Sequence, residues 1–178
     1  MYGSTLLIDV LNKYKNKVFV ETGTNSGRGV RTAVHCGFTH VISIEIDESY
    51  QDNNNKIIDE FPNLEINLIT GDVIDEFPKV LDSLNERATF FLDAHWDFGV
   101  KGKTVCSLDY ELDLIAKHKI KEHTILIDDR RCFTGSHHWG SGINEERIIE
   151  KLTNINPDYT ITYEDNRVAK NDMIVAYL

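Results

Sequence analysis

The stretch Val18-Phe19-Val20-Glu21-Thr22-Gly23-Thr24-Asn25-Ser26-Gly27-Arg28-Gly29 limits most strongly what this chain can become. An apolar run ends in an acid, a glycine-rich segment follows, and a helical pattern begins at Val30. This order reads as a buried strand, a turn and a helix start. Glycine has no Cβ and tolerates positive φ, so the backbone of such a turn can approach a ligand closely. The free amides at the start of the helix then face that ligand. The spacing G-x-x-x-G-x-G is neither that of a P-loop nor that of a dinucleotide turn. A carboxylate at Glu21 would repel a pyrophosphate but would favour a cationic ligand. A glycine turn that merely packs tightly is the alternative.

Along the rest of the chain, apolar runs alternate with helical patterns. Helical spacing predicts a short N-terminal helix from Ser4 to Lys15, with Ser4 as N-cap. Strands are predicted at Lys17–Glu21, His40–Asp47, Leu64–Ile69, Thr89–Trp96 and Thr124–Asp129. Helices are predicted at Arg28–Cys36, Glu48–Phe61, from about Pro78 to Asn85, at Ser107–Lys119 with Ser107 as an imperfect N-cap, and at Asn144–Leu152. Pro78 belongs in a first helical turn, where its missing N–H does no harm. Tyr159–Tyr163 and Met173–Tyr177 form a closing antiparallel pair, and the polar link Glu164–Asp172 is expected to be exposed. The segment Arg130–Ile143 is long for a connection and carries His137, His138 and Trp139, which suggests a functional loop. This alternation predicts an α/β fold, a doubly wound and mostly parallel sheet in a single domain spanning 1–178.

The formal charge of −10 opposes binding to a phosphate backbone, which needs clustered Lys and Arg. Cys36, Cys106 and Cys132 are far apart and make neither a zinc pattern nor a disulfide framework. Free thiols, no secretory signal and no apolar run of spanning length predict a soluble cytoplasmic protein.

Glu45 lies 22 positions after Gly23, where an acid can accept from ribose hydroxyls, with Asp47 as the alternative. The glycine stretch resembles motif I of class I S-adenosylmethionine (SAM)-dependent methyltransferases, E/D-x-G-x-x-x-G. Its form is nearest to the small-molecule O-methyltransferases. Ile44-Glu45-Ile46-Asp47 resembles their motif II. The resemblance covers about Lys17 to Leu178. It implies a seven-stranded Rossmann-like sheet whose last strand is antiparallel. It also implies cofactor contacts from Glu21, Gly23, Thr24, Ser26, Gly27, Gly29, Glu45 and Asp93, and an adenine contact from Asp72. The chain departs from the family in lacking a large N-terminal substrate cap, and in having Thr24 where many members carry a second glycine.

In such a sheet Asp93 and the pair Asp128-Asp129 end neighbouring strands, which lie about 4.8 Å apart. Three carboxylates in one crevice need neutralising, and a divalent cation is the simplest means. All-oxygen ligation points to Mg²⁺, Mn²⁺ or Ca²⁺. Phe91-Leu92-Asp93-Ala94-His95-Trp96 and Leu126-Ile127-Asp128-Asp129 resemble the metal-ligand segments of cation-dependent O-methyltransferases, of the catechol and macrolide-sugar types. With Asp93, His95 is the first catalytic candidate as the base, and His138 or His137 the second. Trp96, Phe133 and Trp139 are candidates to line the acceptor pocket. The expectation is therefore O-methyl transfer to a small molecule or glycan unit, assisted by Mg²⁺ or Mn²⁺. The competitors are a metal-independent enzyme using His95 and a non-catalytic cofactor-binding partner subunit. The oligomeric state stays open, and a homodimer that completes the short substrate side is compatible with it.

Overall fold

The computed structural model of the chain describes residues 5–95, 102–104, 106–134 and 143–178. Seven strands form one sheet in the order β3-β2-β1-β4-β5-β7-β6. They are β1 (Val18–Thr22), β2 (His40–Glu45), β3 (Glu65–Thr70), β4 (Ala88–Leu92), β5 (Thr124–Ile127), β6 (Thr160–Glu164) and β7 (Met173–Tyr177). The first five pair in parallel, and β7 inserts antiparallel between β5 and β6. The helices are α1 (Ile8–Lys13), α2 (Arg28–His35), α3 (Gln51–Glu60), α4 (Val73–Ser83), α5 (Leu108–Lys117) and α6 (Glu145–Ile155).

The central strands are apolar throughout because both of their faces are covered. Side chains alternate between two cores. Val18, Val20, Ile42, Ile44, Phe90, Leu92, Ile125 and Ile127 meet α4, α5 and α6. Phe19, Val41, Phe91 and Leu126 point to the other face, toward α1, α2 and α3.

Element boundaries differ from expectation for identifiable reasons. Ser4 lies outside the described residues, and α1 begins only at Ile8, after Leu7. The fourth helix starts at Val73, not near Pro78, because Asp72 caps it by accepting from the Ile74 amide at 2.9 Å. Pro78 therefore sits inside α4 and cannot donate to the Ile74 carbonyl. The Tyr110 hydroxyl reaches that carbonyl instead, at 3.3 Å. Ser107 makes no cap bond; its hydroxyl donates to the Ala94 carbonyl at 3.3 Å. The Glu164–Asp172 link is not wholly exposed, since Asn166 and Asp172 are buried.

At the opposite end of the sheet from the glycine turn, His123 is fully buried. Its Nδ1 accepts from the Ala88 amide at 3.0 Å, which leaves the proton on Nε2, 2.9 Å from His118 Nδ1. Burial, then the neighbouring His118, pushes the His123 pKa down to about 4. The neutral ring is built into the fold, so its contribution is intact above the ordinary histidine pKa and is lost as pH falls. Between pH 6.5 and 4 the loss should reach about 3 kcal/mol. Urea unfolding of wild type and His123→Asn at pH 7 and 4.5 measures it, and the gap between the two proteins should narrow in acid.

Candidate active site

The carboxyl ends of β1, β2, β4 and β5 converge, as their pairing requires. Thr22 lies opposite Ile44 on one side and Leu92 on the other, and Leu92 lies opposite Ile127. Ligands bind at such an edge in open α/β sheets.

The glycine turn leaves β1 at Gly23, whose φ is 90°. The Gly23 and Thr24 amides both donate to the Ile44 carbonyl, at 2.9 and 3.2 Å. A Cβ at Gly23 would stand 2.7 Å from the backbone oxygen of Asp93, so the turn and the end of β4 share one wall. Gly27, at φ 73°, precedes α2, whose start has no side-chain cap. Gly29 is buried in the first turn of α2.

Below the turn runs a chain of hydroxyls ending on an acid. Ser43 donates to Glu21 Oε2 at 2.7 Å, and the Thr24 and Ser43 hydroxyls are 2.6 Å apart. Glu21 is fully buried, and its Oε1 has no hydrogen-bond partner among the described residues. Burial pushes its pKa up to about 8; the Ser43 bond opposes this and the Glu45 charge adds to it. Thr24 is thus turned inward to Ser43, which accounts for a hydroxyl residue where a glycine is common in the resembling family. Ser26 stays in the turn, its amide donating to Asn25 Oδ1.

Glu45 closes the same corner. Its carboxylate accepts from the Asn25 amide at 2.6 Å and from the Asp47 amide at 2.8 Å, so it ties β2 to the turn. Asp47 itself accepts from the Ser49 amide. Asp72 caps α4 with one oxygen and accepts from the Lys103 amide with the other, at 2.8 Å.

Beyond β4 and β5 stand the acids. Both strands end earlier than expected, at Leu92 and Ile127, which frees Asp93, His95, Asp128 and Asp129 from the ladder. The amides of Asp93 and Asp128 still bond to Thr22 and Leu92, which fixes the direction of both segments. Asp129 sits in the left-handed region at φ 55°, at the start of the turn that follows β5. Loss of water around Asp93, then the charges of Asp128, Asp129 and Glu21, raises its pKa. His95 is buried, edge-on to Phe133 with centroids 5.2 Å apart. Burial lowers its pKa to about 4 despite the nearby Asp128, so the ring is neutral at physiological pH. Phe133 backs His95 as a core residue. Trp96, His137, His138 and Trp139 lie outside the described residues.

Among the described residues, two clusters offer one ligand atom per residue, all within 4.8 Å: Asp93–His95–Asp129, and Asp128–Asp129–Asp172. Asp93 and Asp128 therefore fall in different clusters, joined by Asp129. The second cluster is held by protein donors. Asp128 accepts from the Thr5 hydroxyl and, at 2.7 Å, from Asn166. The same Asn166 amide donates to Asp172 at 2.8 Å. Arg131 bonds Asp172 through its amide and guanidinium, and its Nη1 is 2.7 Å from Asp129 Oδ1. Thr5, Asn166 and Asp172 carry no motif, so the sequence gives no sign of them. Glu111 was also missed. It is buried, and burial raises its pKa to about 7, opposed by the nearby Thr22 and Ser107. Its only sequence signal is an acid on the inward side of an apolar helix.

No family model and no curated protein matches the sequence. Solved structures do match. One is an O-methyltransferase from Bacillus cereus in complex with SAH, 13% identical, covering 95% of this chain and 77% of that one, TM-score 0.63. A second is TomG from Streptomyces achromogenes, an O-methyltransferase involved in tomaymycin synthesis, in complex with SAM. It is 11% identical and covers 96% of this chain and 77% of that one, with TM-score 0.62. The fold is that of the O-methyltransferases. A third match, an SAH-bound methyltransferase from Podospora anserina, is 12% identical, covering 96% and 75% of the two chains, TM-score 0.63. At such identities the shared property is the fold, and function is argued from the site.

Proposed function

We propose that this chain is a SAM-dependent O-methyltransferase acting on a hydroxyl of a small molecule or sugar unit, assisted by a divalent cation. The observation that carries the reading is Glu21. A buried carboxyl with one oxygen unpartnered, below a glycine turn, is a poor neighbour for phosphate and a good one for a sulfonium or ammonium group. Glu45, within reach of the turn amides, is the ribose acceptor; Asp72, already capping α4, keeps lone pairs for the adenine amino group. The open amides at the start of α2 and the glycine backbone would hold the rest of the cofactor.

Methyl transfer from sulfur is an in-line displacement, so the acceptor oxygen must stand on the far side of the methyl group. The shared wall of Gly23 and Asp93 supports the Asp93–His95–Asp129 cluster as that place. These residues fit a cation, because two buried or partly buried carboxylates and a neutral imidazole converge without enough positive charge of their own. When bound, such an ion lowers the pKa of the acceptor hydroxyl and fixes its position. Asp93 and Asp129 would hold it. His95 has two roles open to it, proton acceptor or ligand. A metal-free variant of the reaction is favoured by one observation: Arg131 already places a positive charge on Asp129. Turnover that survives chelator would select it.

The charge of −10 fits a small-molecule acceptor better than nucleic acid. Among the described residues no helix is long and apolar enough to cross a membrane. The three free thiols suit the cytoplasm.

Calorimetric titration with SAM and SAH tests the cofactor, and formation of SAH with sugar and small hydroxylated acceptors tests the transfer. Absence of binding by either compound would remove the reading. Glu45→Ala should weaken SAM binding by about 1.5–3 kcal/mol, the value of a charge-assisted hydrogen bond. An unchanged affinity would take Glu45 out of the cofactor site.

A further inference from the structure

We propose that His95 is a metal ligand, and that the site takes a nitrogen-tolerant first-row cation such as Mn²⁺, Co²⁺ or Zn²⁺ in preference to Mg²⁺. This rests on the metal-assisted reading above and adds an imidazole to its two carboxylates, in place of the third carboxylate expected from the sequence.

Four observations carry it. The first is convergence: Asp93, His95 and Asp129 each bring one ligand atom within 4.8 Å of the others. His95 Nε2 is 4.0 Å from Asp129 Oδ2. Two atoms each about 2.1 Å from one ion can be separated by up to about 4.2 Å, so this pair spans an ion without rearrangement. Three equally spaced ligands about 2.1 Å from one ion are about 3.6 Å apart at most, so the widest separations the cluster allows close by about 1 Å when an ion enters.

The second is that Asp128, the expected third carboxylate, is already engaged. One of its oxygens accepts from Thr5 and the other from Asn166. Those donors anchor it to the N-terminal segment and to the β6–β7 connection. Asp128 braces the site, and the corner it was expected to fill is occupied by His95.

The third is a division of labour on Asp129. Its Oδ1 receives Arg131 and its Oδ2 faces His95. The guanidinium therefore compensates the carboxylate without covering the oxygen that an ion needs.

The fourth is rigidity. The His95 ring is 2% exposed, is packed against Phe133, and rides on a backbone bridge to Cys106. A proton acceptor for a changing substrate benefits from access, whereas a ligand benefits from being fixed. An imidazole in the set favours Mn²⁺, Co²⁺ or Zn²⁺ over the hard, oxygen-seeking Mg²⁺.

The experiment uses the full chain, stripped of metal and titrated separately with Mn²⁺, Co²⁺ and Mg²⁺. Electron spin-echo modulation is then recorded on the Mn²⁺-loaded protein. Mn²⁺ and Co²⁺ should bind at least about tenfold more tightly than Mg²⁺. The Mn²⁺ echo should carry ¹⁴N modulation that converts to the ¹⁵N pattern when histidine is ¹⁵N-labelled. His95→Gln should abolish the modulation and weaken Mn²⁺ by about 100-fold, while Asp128→Asn keeps the modulation. If His95→Gln does not fold, the labelled wild type decides alone. Mn²⁺ bound without nitrogen modulation would overturn the assignment of His95 and leave the metal-assisted reading standing. No bound ion under any condition would overturn both, while the SAM titration judges the methyltransferase reading separately.

Discussion

Gly23→Ala should destabilise the protein by roughly 2–4 kcal/mol and remove measurable SAM binding. Two independent penalties meet at this position. The backbone holds φ at 90°, where a Cβ is strained. The added carbon would also lie 2.7 Å from the Asp93 carbonyl oxygen, a backbone atom that cannot swing aside. Either β1 or the end of β4 must move, and the Asp93 carboxyl would move with it. Gly27→Ala offers the contrast. There φ is 73°, and the added carbon meets Ile57 Cδ1 at 2.0 Å, the far end of a flexible side chain. Removing that methyl in Gly27→Ala/Ile57→Val should recover part of the loss, whereas no single truncation rescues Gly23→Ala. Urea unfolding of the four proteins and SAM calorimetry check both statements. A Gly23→Ala protein that binds SAM normally would separate the turn from the cofactor site.

The sheet was legible because its strands are buried on both faces. Val18 to Val20, Phe90 to Leu92 and Ile125 to Ile127 stay apolar without a break, and the last two strands lack a helix between them. Helix starts were less legible, since a cap depends on one side chain finding one amide. Asp72 capped α4 six residues before Pro78, and Ser107 spent its hydroxyl on Ala94. In the site, the acids at strand ends could be read from sequence, but their partners could not. Asp128 meets Thr5 across 123 positions and Asn166 across 38. No local pattern encodes such pairings, so the set Asp93, Asp128, Asp129 divided into two clusters. The left-handed backbone at Asp129 was equally illegible, since a non-glycine residue gives no warning of it.

Glu21→Gln should make the unliganded protein more stable and the cofactor complex weaker. In the folded chain the Glu21 carboxyl titrates near pH 8, because burial disfavours its charged form. In the unfolded chain it titrates near the ordinary 4.5. A raised acid pKa means that the folded state holds a proton which the unfolded state has lost, so stability falls as pH rises between those values. At pH 7 the deficit amounts to about 3 kcal/mol, and it is absent at pH 4.5. Glutamine is neutral at every pH and keeps an acceptor for the Ser43 hydroxyl. The variant should therefore gain roughly 2–3 kcal/mol over wild type at pH 8 and little or nothing at pH 4.5. Binding should respond in the opposite sense. A cationic cofactor draws the carboxyl into its charged form, so wild-type affinity for SAM should climb with pH up to about 8, by as much as tenfold per unit. Binding should release close to one proton, seen as a heat that depends on the ionisation enthalpy of the buffer. SAH lacks the sulfonium and should show a shallower slope. Glu21→Gln should flatten both slopes. Equal pH profiles for the two cofactor forms would mean that Glu21 serves the fold alone, and the reason for tolerating a buried, half-partnered acid would have to lie elsewhere.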